Sequence, residues 1–229
     1  VLICFICFPH LLFIIWGFVF QRLLAATKSG RGKRNDEIPN KTGGIIVRVL
    51  LVSANTETIN MPVLPLGMAF VARAAAEAGH EVYQINLMAE PEALNTLAKR
   101  IRQIQPEIIG ISVRNIDDQV SFQPRFLLDP VKAIVSICRR NSEAKIVLGG
   151  AGYSIFPKQV LSYLNADMGI QGEGEQSFAM LLDRLQNNGD VSNIPGLYHA
   201  DQCIANPPGT FKDIDHNLFP QPGRHIFAL

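Results

Sequence analysis

The chain has 229 residues, is 48% hydrophobic and 18% charged, and carries a formal net charge of +1. That apolar content excludes a disordered or collagen-like chain, and the length suffices for a sizeable core without disulfides. The balanced charge excludes a strongly basic nucleic-acid binder, so no nucleic-acid partner is expected. The balance, however, sums two unlike pieces. Residues 1–20 hold 17 apolar residues and no charge, the exceptions being Pro9, His10 and Gly17. Residues 1–43 sum to +4 and residues 44–229 to −3.

Residues 1–20 are long enough to cross a bilayer as a helix. Arg22, Lys28, Arg31, Lys33 and Arg34 follow, a flank that keeps the downstream part cytosolic. The expected location is the cytoplasm, with membrane contact through residues 1–20. Two other readings stay open: a signal peptide cleaved near Leu24-Ala25-Ala26, and a leader that is not native, since the chain starts at Val1. Residues 27–44 read as a flexible basic linker. Cys4 and Cys7 form a Cys-x-x-Cys inside the apolar run, while Cys138 and Cys203 are isolated. A zinc or redox site wants a second pair or a polar approach, so these are read as small apolar residues.

From Ile45 onward strands and helices alternate. Residues 45–52 are a β-branched run that predicts a buried strand. Pro65 and Leu66 open a helix through Ala78, and Gly79 ends it. Residues 80–86 predict strand two. Pro91 starts helix two, through about Gln103. Residues 107–113 predict strand three, and residues 129–140 a helix whose Arg139 and Arg140 suit the negative end of its dipole. Strand four covers 144–148, a short helix 157–164, strand five 167–170, and a last helix 175–187. Five strands, each followed by a helix, imply an α/β fold. The sheet is parallel and doubly wound, flavodoxin-like or Rossmann-like, in the order 2-1-3-4-5. Residues 196–200 and 203–205 predict a small hairpin after the sheet. Pro207, Pro208, Pro220 and Pro222 mark extended chain beyond it. The expected organisation is leader and linker in 1–43, an α/β domain in 44–190, and hairpin plus lead-out in 191–229.

Ligands of such sheets bind at the carboxyl ends of the strands, near the reversal between strands one and three. Two glycine-rich loops fall there: Gly149-Gly150-Ala151-Gly152 after strand four and Gly172-Glu173-Gly174-Glu175 after strand five. Neither gives Gly-x-Gly-x-x-Gly after strand one, so a nicotinamide enzyme is not expected, and no P-loop pattern occurs, so a P-loop is excluded. Asp117, Asp118, Glu173 and Glu175 face the same edge, where helix capping and ligand hydrogen bonding are expected of them. An aspartyl-phosphate site is not expected, because Ser53-Ala54-Asn55 supplies no acidic pair. None of the five histidines stands in a loop at this edge.

These loops, in this order, resemble a known family. Residues 47–205 are similar to the cobalamin-binding domain at the N-terminus of radical S-adenosylmethionine proteins. The resemblance rests on five segments: Val49-Leu50-Leu51-Val52 with Pro65-Leu66-Gly67; Gly110-Ile111-Ser112-Val113-Arg114-Asn115-Ile116-Asp117; Leu148-Gly149-Gly150-Ala151-Gly152-Tyr153-Ser154-Ile155-Phe156-Pro157; Gly172-Glu173-Gly174-Glu175; and Ile194-Pro195-Gly196-Leu197. It implies a corrin ring over the loops after strands three to five, with the nucleotide tail running into the sheet. The implied cofactor residues are Ser112, Arg114, Asn115, Asp117, Gly149, Gly150, Gly152, Tyr153, Gly172, Glu173, Gly174 and Glu175. The chain lacks the Asp-x-His-x-x-Gly of cobalamin carriers such as mutases and methionine synthase, so cobalamin without a His ligand is expected, with residues 115–119 nearest its lower face. It also lacks Cys-x-x-x-Cys-x-x-Cys. The four-iron cluster and S-adenosylmethionine are therefore expected in a radical domain that follows in cis. The fragment alone should not cleave S-adenosylmethionine. Two other functions stay open: a cofactor-free binding or interaction domain, and a nucleotide- or sugar-binding half of an α/β transferase.

Overall fold

A computed structural model describes residues 46–55, 64–118, 122–123, 125–202 and 204–209. The apolar leader, the basic linker, Cys4, Cys7, Gln119, Cys203 and the stretch from 210 onward lie outside the described residues. Among the described residues, no helix is long and apolar enough to cross a membrane.

The described residues include seven strands in one sheet: β1 (Arg48–Ser53), β2 (Glu81–Asn86), β3 (Ile108–Ser112), β4 (Lys145–Gly149), β5 (Met168–Ile170), β6 (Leu197–His199) and β7 (Ile204–Ala205). Their order is β2-β1-β3-β4-β5-β6-β7. The first five are parallel in the expected order. The hairpin does not follow the sheet as a separate unit. β6 pairs antiparallel with β5, setting Ile170 beside Leu197 and Met168 beside His199, and β7 pairs with β6. The short, free edge of β5 would otherwise expose its backbone groups, and two short strands close it.

Among the described residues six helices cover the sheet: α1 (Leu66–Glu77), α2 (Ala93–Ile104), α3 (Leu128–Asn141), α4 (Ala151–Ile155), α5 (Pro157–Leu164) and α6 (Glu175–Gln186). Helix α2 begins at Ala93, two residues beyond Pro91, and a 3-10 turn over Leu87–Ala89 precedes it. Gly79, at φ +97°, ends α1 in the left-handed conformation that glycine adopts without strain. Arg139, in the last turn of α3, also reaches Asp167 at 2.9 Å.

Both faces of the sheet are covered, so its strands lack polar alternation. Alternate residues of a strand nonetheless serve different cores. Leu50, Val52, Ile109, Ile111, Ile146 and Leu148 pack with α2, α3 and α5. Val49, Leu51, Ile108, Val147 and Met168 pack with α1 and α6. The chain reverses direction across the sheet after α2, crossing from β2 past β1 to β3. That reversal leaves a gap between the loops leaving β1 and β3.

Candidate functional site

At the carboxyl ends of β1, β3 and β4 a cleft of about 750 Å³ runs under the starts of α1 and α6. Strand side chains explain its depth. Leu51, Gly110 and Val147 are in register across β1, β3 and β4, as are Ser53, Ser112 and Gly149. All six line the cleft. On β3 and β4 this row is nearly bare, so the helices above have little to rest on. Gly110 keeps the floor low: a Cβ there would lie 2.5 Å from Leu51 Cδ2 and 3.7 Å from Phe178 Cζ. A Cβ on Gly149 would meet nothing within 4 Å. That face of Gly149 therefore opens into the cleft.

The lining is mixed. Leu51, Val147, Ile170 and Phe178 supply buried apolar surface, and Ser53, Asn55, Ser112, Arg114, Ser154, Glu173 and Glu175 supply polar groups. Leu64 and Leu66, at the start of α1, are about half exposed beside it. Exposed apolar side chains at the edge of a concave, apolar site favour a large ligand with an apolar body.

Eight of the twelve residues implied by the sequence stand together on this cleft: Ser112, Arg114, Gly149, Gly150, Gly172, Glu173, Gly174 and Glu175. The other four are placed elsewhere. Tyr153 is fully buried in the core. It packs so closely on Gly169 that a Cβ there would lie 2.2 Å from its hydroxyl. Burial pushes its pKa well up, with Tyr198 adding to the shift. Asn115 lines a separate recess of about 20 Å³ beneath the start of α3. Asp117 forms an isolated bridge with Phe126, and Leu127 N donates to Ile116 O at 2.8 Å, so the chain after β3 turns back on itself. Gly152 packs its bare face on that same stretch, where a Cβ would lie 2.9 Å from Arg114 C.

The glycine loop after β4 is not a plain turn, since α4 begins within it. Gly150 takes φ +96°, and a Cβ would meet Val113 O at 2.6 Å. Glycine is needed there for chain-to-chain approach as much as for a ligand. The N-cap residues of α3 and α6 are Leu127 and Gly174. Glu175 lies in the first turn of α6, where a negative charge suits the dipole. Asp118 receives the Arg125 side chain at 2.8 Å and its backbone N–H at 3.0 Å, which fixes the loop between β3 and α3.

The two described histidines lie away from the cleft. His80 is buried just before β2, with Nε2 3.6 Å from Asp183 Oδ1. His199 is in β6, level with the first residue of β5. Among the described residues, no group of three or more His, Cys, Asp and Glu side chains could hold a metal ion. Cys138 is buried in α3, and burial pushes its thiol up to about 12, which leaves it protonated and inert.

A family model for the B12 binding domain matches residues 52–182. The chain belongs to the B12-binding domain family. It is 28% identical over 146 residues to tryptophan 2-C-methyltransferase of Streptomyces laurentii, covering 62% of this chain and 24% of that protein. It is 25% identical over 156 residues to hopanoid C-3 methylase of Methylococcus capsulatus, covering 67% of this chain and 28% of that protein. Among solved structures, the radical S-adenosylmethionine methyltransferase TsrM from Kitasatospora setae, with cobalamin and a 4Fe-4S cluster bound, matches with a TM-score of 0.66. Its sequence identity is 26%, over 72% of this chain and 31% of that chain. The B12-binding domain described here thus spans about a quarter to a third of the length of these relatives.

Proposed function

We propose that this B12-binding domain holds cobalamin in the cleft, without a histidine ligand, and serves a radical S-adenosylmethionine methyltransferase. One observation carries the reading. A cleft of about 750 Å³ with a largely apolar lining and a few polar groups opens where the strands of a B12-binding domain end. Gly149 leaves room for such a ligand, since its missing side chain leaves open space on the cleft's wall. Gly149, Gly150 and Gly172 would let backbone approach the macrocycle, and Leu51, Val147 and Phe178 would exclude water from an inserted apolar ring. Ser53 and Ser112 hydroxyls and the Arg114 guanidinium would bind amide or phosphate groups. Bound cobalamin supplies a cobalt centre that can carry a methyl group.

The relatives support the rest of the reading. Residues 44–190 act as the cofactor module, its sheet completed by β6 and β7, and a radical domain in cis would work with it. That domain would supply the four-iron cluster and bind S-adenosylmethionine. The expected reaction is methyl transfer to a carbon substrate.

The test is retention. The chain is mixed with hydroxocobalamin, desalted, and its visible spectrum recorded. About one equivalent of corrin absorbance per chain is expected. A colourless protein would overturn the reading in favour of a cofactor-free interaction domain.

A further inference from the structure

The wall of the cleft is tied to the sheet edge behind it by a chain of hydrogen bonds. The Tyr198 hydroxyl, in β6, donates to Gln171 Oε1 at 3.2 Å. Gln171 Nε2 donates to the Ser154 carbonyl, in α4, at 3.0 Å. Ser154 Oγ donates to the Gly150 carbonyl at 2.9 Å and accepts from Gly172 N–H at 3.0 Å. Gln171 N–H also donates to the Gly196 carbonyl at 2.8 Å. The Ser154 hydroxyl therefore joins one glycine loop to the other, and Gln171 joins that pair to the antiparallel extension. Ser154 lines the cleft, whereas Gln171 and Tyr198 do not.

We propose that Ser154, Gln171 and Tyr198 form a latch that fixes the spacing of the two glycine loops before the ligand arrives. Gln171 and Tyr198 are then positioning residues for a cofactor they do not touch. The proposal rests on the cobalamin reading for its ligand. Its physical basis is entropic. Gly150 and Gly172 both sit at positive φ, on backbone with the widest conformational freedom. Loops that must be ordered on binding weaken affinity, and loops already held do not. Each bond of the latch is modest by itself. Together they act at the two places where the wall is softest. Tyr153, on the same short helix, contributes packing only, because its buried hydroxyl has no partner. The latch also gives β6 a role beyond closing the edge of the sheet.

The test compares the 229-residue chain with Ser154→Ala, Ser154→Thr, Gln171→Leu and Tyr198→Phe. Amide exchange at Gly172, without ligand, reads the latch directly. Ser154→Ala should speed it roughly three- to tenfold, the worth of one hydrogen bond, and Ser154→Thr should restore it. The dissociation constant for hydroxocobalamin should rise by a similar factor in Gln171→Leu and by less in Tyr198→Phe, while the thermal midpoint of Tyr198→Phe stays near that of the parent chain. Unchanged Gly172 exchange in Ser154→Ala would overturn the latch. So would Gln171→Leu and Tyr198→Phe chains that fold and bind hydroxocobalamin as tightly as the parent. A parent chain that does not retain hydroxocobalamin would overturn the cobalamin reading instead, and Gly172 exchange would still judge the latch.

Discussion

The two faces of the sheet use the same strands and end differently. Toward α2, α3 and α5, β3 and β4 present Ile109, Ile111, Ile146 and Leu148, each at most 1% exposed. Toward α1 and α6 they present Ile108 and Val147, and then Gly110, Ser112 and Gly149 beside the cleft. The first face is solid core and the second holds the cleft. The helices over the cleft have not parted: a Cβ on Gly174, at the start of α6, would lie 3.3 Å from Val71 of α1. The cleft arises because side chains are missing from the strands beneath. If the cleft holds the ligand as proposed, substitutions at alternate residues of the same two strands should separate stability from binding.

The largest expected effect is on the solid face. Ile146→Ala removes most of a fully buried side chain and leaves a cavity. It should lower stability by about 2–5 kcal/mol, read by urea unfolding, while the folded fraction keeps its cofactor. On the cleft face the expected outcome inverts. Gly149→Leu adds a side chain where nothing stands within 4 Å. Hydroxocobalamin affinity should fall by roughly tenfold or more, about 1.4 kcal/mol, while the thermal midpoint moves by less than about 4 °C. Equal affinity in Gly149→Leu would place the ligand elsewhere.

The smallest effect lies at the antiparallel edge, away from both contrasting rows. Burial holds His199 below its ordinary value of 6.5, opposed by Asp201 and Asp167. Its Nδ1 accepts from Gln202 N–H at 3.4 Å in the neutral form. A depressed folded value means that the stabilising contribution is present above pH 6.5 and is lost as the pH falls through the folded value. His199→Gln should therefore narrow the gap between urea midpoints at about pH 7.5 and about pH 5, with no change in cofactor retention. An unchanged gap would show that the imidazole does not set this acid sensitivity.

Much of the fold was legible because it rests on local pattern. The β-branched runs, the glycine after α1 and the proline opening α5 each act within a few residues, and the five parallel strands lie where those signals put them. The antiparallel joining of β6 was not legible. Leu197-Tyr198-His199 reads as one arm of a hairpin, and nothing local says that its other edge meets β5. The site was legible only as a set of loops. Tyr153 stands in a glycine-rich, loop-like stretch, yet its ring fills the space above Gly169 and belongs to the core. Gly110 was passed over as part of an apolar run. A glycine inside a strand was the available signal, since it weakens the strand and marks close approach by another group.

The sequence by itself determined the α/β alternation, the parallel order and the edge where a ligand would bind, because hydrophobic period, turn residues and crossover handedness are local or topological rules. It also determined the family, through five short segments in a fixed order. Only the tertiary structure decided what the bare face of each glycine meets. Gly149 opens onto the cleft, while Gly150 and Gly152 turn their bare faces to the backbone after β3. The reason is physical. A glycine marks a place where a Cβ has been dispensed with, and what occupies that space depends on pairing register and neighbouring strands that lie far away in sequence.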